Sequence, residues 1–312
     1  MIDALKALLQ DDTAGDPVRG IKWTRKTLRK VTEQLRRQGF TVGRETVHRL
    51  MCSLGYKLRV NRKRLSRRKD VNRDRQMRYI FKRRRQSIKA GIPVISVDCK
   101  HRELVGNFKN DGRTWRLQPI DVMDSDYPSD AEGVAIPYGI YDIAHNEGFV
   151  VVGTSAQTPE FAVNAIKCWW HKRGCLLYPN QTHINIEADG GNPNSFKSWR
   201  FKYALQQFAD EYQLTITVAH YPTGASKWNP IEHRLFSAIS GNWQGQPLAS
   251  YEIILKHIRT TSNDSGLRCK AYLDTRIYKT GQPLTKIEKS CINLYPCRLF
   301  PLKNYTIRPR PV

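Results

Sequence analysis

Three observations predict a mixed α/β domain preceded by a small helical module. Apolar runs of strand length come first as neighbours, then alternate with stretches of helical periodicity between residues 94 and 260. Two of those runs close on an aspartate, at Asp98 and at Asp189. Upstream, two short helical patterns flank a glycine-bearing turn and lead into a segment crowded with Lys and Arg. A chain of 312 residues has room for both parts and for a sizeable core.

The N-terminus opens with a short apolar helix, Ala4 to Leu9, followed by Asp11, Asp12, Gly15, Asp16 and Pro17, which read as a breaker-rich connecting loop. Trp23, Leu28, Val31 and Leu35 then recur at near-helical spacing up to a stop at Gly39. After Thr41-Val42-Gly43, a second helix runs through Val47, Leu50 and Met51 to Gly55. Two such helices around a turn read as helix-turn-helix, a motif whose second helix enters the major groove of DNA. Arg44, Glu45, His48 and Arg49 would then be its base or phosphate contacts.

Charge is the strongest compositional signal. The chain carries 52 Lys and Arg against 28 Asp and Glu, a formal charge of +24. From Lys57 to Lys89 there are 16 Lys and Arg against only Asp70 and Asp74. So few opposite charges leave the repulsion to be relieved by something anionic, and phosphate is the natural partner. Arg62, Lys63, Arg64, Arg67, Arg68 and Lys69 are the candidate contacts in this linker helix. No apolar run approaches the length needed to cross a bilayer and no signal-peptide pattern is present, so a soluble, cytoplasmic protein is expected, with double-stranded DNA and not a membrane as partner. The seven cysteines are scattered without zinc-ligand spacing and read as reduced thiols.

In the central region Val94 to Asp98 reads as a strand, and Tyr138 to Asp142 with Gly148 to Gly153 as a hairpin around Asn146-Glu147. A helix from Phe161 to Trp170, a strand from His183 to Asp189, a helix from Phe196 to Tyr212 and a strand from Leu214 to Ala219 follow. Asn229-Pro230 opens a further helix, and Tyr251 to Thr260 another. Antiparallel strands followed by alternating strand and helix is the order of a ribonuclease H-like domain. The resulting division is residues 1–62 for the helix-turn-helix, 63–90 for the basic linker helix, 91–250 for the ribonuclease H-like domain, and 251–312 for a C-terminal helix with a basic, Pro-bearing tail, an extended arm for the domain, another subunit or DNA.

Asp98, Asp189 and Glu232 are the candidate catalytic and metal-ligating set. Two strand-end aspartates and a helix-borne glutamate can converge on two Mg²⁺ or Mn²⁺ ions, because hard cations take oxygen ligands and a pair of ions about 3.5 to 4 Å apart clamps both oxygens of a phosphodiester displacement. Along the strand that ends at Asp189, Asn185 and Glu187 share its face, which makes Glu187 the reserve ligand. By spacing alone Asn229, Pro230 and Glu232 also form a helix-capping box, and both readings put Glu232 in the first turn. The lead-in loop contributes Lys227 as a cation for DNA near the cut. Cys99 is expected to face away from its neighbour Asp98, Asp142 to bond its own turn, and Tyr138 and Tyr141 to be strand residues, with His145, His233 and Arg234 outside the set.

Four segments together, Val97-Asp98-Cys99-Lys100, Ile136 to Asp142, Ala188-Asp189-Gly190-Gly191 and Ser226 to Ser240, closely resemble transposases of the ISAzo-thirteen insertion-sequence family. The resemblance runs from Trp23 to Ile307, and the Asn-Pro-Ile-Glu signature also looks like that of mariner-type transposases. It implies a DDE catalytic domain with a triad of Asp98, Asp189 and Glu232 at the matching positions, cleavage at inverted-repeat ends, strand transfer into target DNA, and a homo-oligomer on DNA. It further implies an additional helical DNA-binding portion before Asp16-Pro17, so that end recognition is expected to be incomplete in this chain. The alternatives are a catalytically silent DNA-binding remnant and a resolvase-like structure-specific nuclease.

Overall fold

A computed structural model describes residues 1–11, 13–16, 21–24, 26–58, 71–225 and 228–311. The chain divides into two units, Met1–Leu65 and Ser66–Val312. In the first, α1 (Ile2–Asp11) is followed by an antiparallel hairpin of β1 (Thr13–Asp16) and β2 (Ile21–Thr24), then α2 (Leu28–Arg37) and α3 (Arg44–Ser53). Leu5 and Leu9 of α1 close a small core with Val31, Leu35, Val42, Val47 and Met51. The N-terminal helix packs into this core. Two expectations change here, the first being that part of the supposed connecting loop is a strand. Trp23 belongs to β2, and α2 starts five residues later, at Leu28, because Thr27 caps it, its hydroxyl accepting from the Lys30 N–H at 3.3 Å.

The second unit begins with α4 (Arg73–Lys89) and carries a nine-stranded mixed sheet. Its strands are β3 (Val94–Cys99), β4 (Glu103–Val105), β5 (Gly133–Asp142), β6 (Glu147–Gly153), β7 (His183–Ala188), β8 (Thr215–His220), β9 (Arg268–Asp274), β10 (Leu294–Pro296) and β11 (Asn304–Ile307). The helices are α5 (Pro159–Trp169), α6 (Cys175–Leu177), α7 (Trp199–Tyr212), α8 (Ser237–Trp243), α9 (Tyr251–Arg259) and α10 (Lys286–Ser290). Strands run in the order β10-β11-β8-β7-β3-β5-β6-β9, with β4 paired to β5. The middle five are the ribonuclease H-like core: β5 is antiparallel to β3 and β6, while β7 and β8 are parallel to β3.

Apolar residues on both faces of β3, β5 and β6 explain why helices cover the sheet from two sides. Phe161, Ile166 and Trp169 of α5 and Phe201, Leu205 and Phe208 of α7 fill one layer with Val97, Tyr138 and Ile186. Leu235 and Phe236, Ile239 of α8 and Ile254 and Ile258 of α9 fill the other with Tyr141 and Val150. The segment read as a C-terminal helix and tail lengthens the same sheet: β9 pairs parallel with β6, and β11 antiparallel with β8.

The basic helix α4 is built onto the sheet. Met77 and Ile80 are buried against it, and Arg84 forms a two-nitrogen pair with Glu187 and donates to the Tyr221 hydroxyl at 2.7 Å. Asn185 donates to Ser87 at 2.6 Å. The polar face of β7, Asn185 and Glu187, is therefore covered by α4, and part of the helix's charge is neutralised inside the protein. Arg75, Arg78, Lys82, Arg85 and Lys89 remain exposed on its other side. Among the described residues no helix is long and apolar enough to cross a membrane.

Candidate active site

Parallel pairing of β3 with β7 sets Val97 opposite Ala188, so the next residues, Asp98 and Asp189, leave adjacent strands at their C-terminal ends. Open α/β sheets place their chemistry at such ends, where the backbone turns away and leaves room for a ligand. On its other side β3 pairs with β5, with Asp98 opposite Gly139. A Cβ at Gly139 would lie 2.6 Å from the Phe236 ring and 2.9 Å from Ile231, so this glycine lets the helix bearing Glu232 lie close over the strand. That helix opens at Pro230 and passes through a π-type turn, Glu232–Phe236, before α8.

Asp98 feels the charges of both Asp189 and Glu232. Asp98 is 8% exposed, Asp189 and Glu232 are half-buried, and Glu232 is close enough to hydrogen-bond Asp98. Burial first, then the charges of Asp189 and Glu232, push the Asp98 carboxyl up to about 8, against the lowering effect of the Cys99 N–H. Burial also raises Asp189, opposed by hydrogen bonds from the Gly191 N–H and from Asn194. Excess negative charge of this kind is relieved by a proton or by a cation, and the all-oxygen donor set suits a hard divalent ion. Among the described residues no three His, Cys, Asp or Glu side chains are already gathered closely enough to hold an ion. The oxygens of both aspartates are instead held by protein donors. Asp98 accepts from the Cys99 N–H at 2.8 Å and from Asn229 at 3.0 Å, and Asp189 from the Gly191 N–H at 2.9 Å and Asn194 at 3.2 Å. An ionised carboxylate offers about four lone-pair sites, so each oxygen retains one for a metal.

Asn229 corrects the capping expectation. Its side chain, 1% exposed, bonds Asp98 and Ser96 and does not cap the helix it precedes; the Glu232 N–H bonds the Asn229 backbone oxygen at 3.2 Å. Spacing alone could not reveal this, because Ser96 and Asp98 lie more than 130 residues away. Lys100, two residues beyond Asp98, is taken up within the protein: its ammonium reaches Glu103 at 2.5 Å and stands 4.5 Å from the centre of the Trp243 ring. Glu187, the reserve ligand, is committed to Arg84 and Tyr221 beneath α4. Burial and the neighbouring Asp98 push the Cys99 thiol up to about 12, which leaves no thiolate for nucleophilic chemistry at neutral pH. Tyr138 and Tyr141 are buried strand residues, while His233 and Arg234 are exposed. Arg44, Glu45, His48 and Arg49 are all exposed on α3. Arg62, Lys63, Arg64, Arg67, Arg68, Lys69 and Lys227 lie outside the described residues.

The ISAzo-thirteen family model, described as a Rhodopirellula transposase DDE domain, matches residues 4–309. This chain belongs to that transposase family. No curated protein sequence matches it. Among solved structures it is similar to a Mos1 transposase paired-end complex with the left transposon end, at 16% identity and a TM-score of 0.43 over 82% of this chain and 69% of that one. A Mos1 mariner paired-end complex with Mn is similar at 14% identity and a TM-score of 0.43, with the same coverage of both chains.

Proposed function

We propose that this DDE transposase cuts and joins DNA at the ends of its insertion sequence, with Asp98, Asp189 and Glu232 holding two divalent ions. The observation that carries the reading is the placing of Asp98 and Asp189 at the ends of adjacent strands, with the buried Asp98 carboxyl pushed up to about 8 by burial and by the charges of Asp189 and Glu232. Bound Mg²⁺ or Mn²⁺ would supply Lewis-acid activation of a water or a 3′-hydroxyl and stabilisation of the departing oxygen. Asp98 and Asp189 orient their carboxylates from rigid strand ends, and Glu232 approaches from the helix that Gly139 admits. No protein nucleophile is required, since one site serves both hydrolysis and strand transfer by in-line displacement.

Substrate binding follows from charge. In the first unit, α2 and α3 act as a helix-turn-helix, with Arg44, His48 and Arg49 toward the groove. Arg62, Lys63, Arg64, Arg67, Arg68, Lys69, Lys227 and the exposed cations of α4 contact phosphates, which makes affinity steeply salt-dependent. Two ends must be brought together, so the working form is a homo-oligomer on double-stranded DNA.

The test is Mg²⁺- or Mn²⁺-dependent cleavage and strand transfer on labelled DNA carrying the flanking ends of the gene, with Asp189→Asn alongside. Cleavage and joining that vanish in Asp189→Asn are expected. DNA binding without cleavage in either metal would sink the catalytic reading and leave a binding remnant, and cleavage of branched DNA without joining would mark a structure-specific nuclease.

A further inference from the structure

Each of the two aspartates is served by its own buried asparagine, and each asparagine is served by a buried hydroxyl. Ser96 donates to Asn229 Oδ1 at 2.6 Å, and Asn229 Nδ2 donates to Asp98 Oδ2 at 3.0 Å. Tyr138 donates to Asn194 Oδ1 at 2.8 Å, and Asn194 Nδ2 donates to Asp189 Oδ1 at 3.2 Å. Asn229 is 1% and Asn194 0% exposed, so neither amide can exchange these partners for bulk water. The ionised aspartate, which only accepts, sets the NH₂ side of each amide toward it, and that leaves the carbonyl oxygen to accept from the hydroxyl. Asn194 is held at a third point, where the buried His220 Nε2 lies 2.9 Å from its backbone oxygen. The two arrangements arise on unrelated parts of the chain. Ser96 precedes Asp98 by two on β3 and thus shares its face, while Asn229 comes from the loop before α8. Tyr138 lies on β5, opposite Cys99, and Asn194 on the loop after β7.

We propose that Asn229 and Asn194 are positioning residues that fix the orientation of Asp98 and Asp189 for a shared divalent cation, with Ser96 and Tyr138 locking the two amides. This rests on the reading of those aspartates as metal ligands. Hydrogen bonds of this kind around a metal ligand set its direction and basicity, and their loss typically weakens metal binding by about 10- to 100-fold. A purely structural asparagine would affect folding stability and leave the affinity for metal of the folded molecule unchanged.

Mn²⁺ binding to the full chain, followed by loss of the free-ion electron paramagnetic resonance signal, separates these cases without any catalytic assay. Wild type is expected to bind, Asp189→Asn to lose binding, and Asn229→Ala and Asn194→Ala to bind about 10- to 100-fold more weakly at unchanged DNA affinity. Ser96→Ala and Tyr138→Phe, which remove only one hydroxyl each and keep the inference testable if an asparagine variant fails to fold, are expected to weaken binding by a smaller factor. Wild-type Mn²⁺ affinity in the hydroxyl variants and in every asparagine variant that folds would overturn the positioning role while leaving the aspartates as ligands. Equal Mn²⁺ binding by wild type and Asp189→Asn would instead remove the ligand reading, and the positioning role with it.

Discussion

Two buried aspartates lie at opposite ends of the same strand pair, and they are treated very differently. Asp142 stands opposite Ile95 near the start of β3, and Asp98 lies near that strand's end. Asp142 is 0% exposed and saturated with donors: the Tyr178 hydroxyl is 2.9 Å from both its oxygens, the Ala144 and His145 N–H groups donate at 3.0 and 3.2 Å, and the His145 ring is at 3.2 Å. Beside it Glu147 is held by Arg173 through two bonds of 2.6 and 2.7 Å. Asp98 has two donors and faces two further carboxyl groups. Burial of an acid is thus no mark of function by itself. A carboxylate whose lone pairs are filled from its own turn and from a neighbouring tyrosine holds a hairpin together, whereas one pressed against other carboxylates stores a demand for positive charge.

The largest expected effect separates the two ends by activity. Asp98→Asn should lower DNA cleavage by about three orders of magnitude or more, the size of losing several kcal/mol of metal-borne charge stabilisation. Asp142→Asn should leave the rate per folded molecule within a few-fold of wild type. Similar losses in single-turnover cleavage would erase the distinction.

Proton linkage gives the next contrast. The Asp98 carboxyl is raised from 3.8 to about 8 in the folded chain, so between those values the unfolded chain has released a proton that the folded chain keeps. Metal-free stability should therefore fall as pH rises from about 4 to about 8, by at most about 1.4 kcal/mol per pH unit, and level off above. Urea midpoints across that range should show a slope in wild type that Asp98→Asn and added Mn²⁺ both flatten. Parallel profiles for wild type and Asp98→Asn would mean that neither burial nor the neighbouring carboxyl groups raise Asp98.

At the other end, Asp142→Ala should cost about 3 kcal/mol, because it strands a buried hydroxyl and two backbone N–H groups. Thermal melting that shifts by less than a degree would show that the hairpin does not need its acid. Smaller still, Gly139→Ala should cost about 1 to 3 kcal/mol as the added methyl drives into Phe236 and Ile231. Because the displaced helix carries Glu232, cleavage should fall more than stability does; activity retained in full would detach Glu232 from the site.

Much of the core was legible because its signals are local. Strands β3 and β7 announce themselves as apolar runs, and the helices α5, α7 and α9 appear within three residues of their expected starts. The added edges were not legible. Strand β9 does alternate buried and exposed positions, but over only seven residues with three charges, and β10 and β11 are three and four residues long within a basic tail, too short to stand out from a loop. Helix α4 misled in a different way. Arg84 looked unpaired because its partner, Glu187, lies about a hundred residues on, and the polar face of β7 looked open to a ligand for the same reason.

By itself the sequence determined the strand-helix order, the two strand-end aspartates, the first-turn glutamate and the concentration of positive charge, all of which are properties of periodicity and composition within a short window. Only the tertiary structure decided that Asn229 serves Asp98 in place of its own helix, that Asn194 and Tyr138 serve Asp189, that Glu187 belongs to Arg84, and that Asp142 is saturated while Asp98 is not. Those outcomes depend on which donors reach which acceptors once the chain is folded, from Asn194 five residues beyond Asp189 to Asn229 131 residues beyond Asp98, and in a water-poor interior a hydrogen-bonding group takes the partner that folding brings to it.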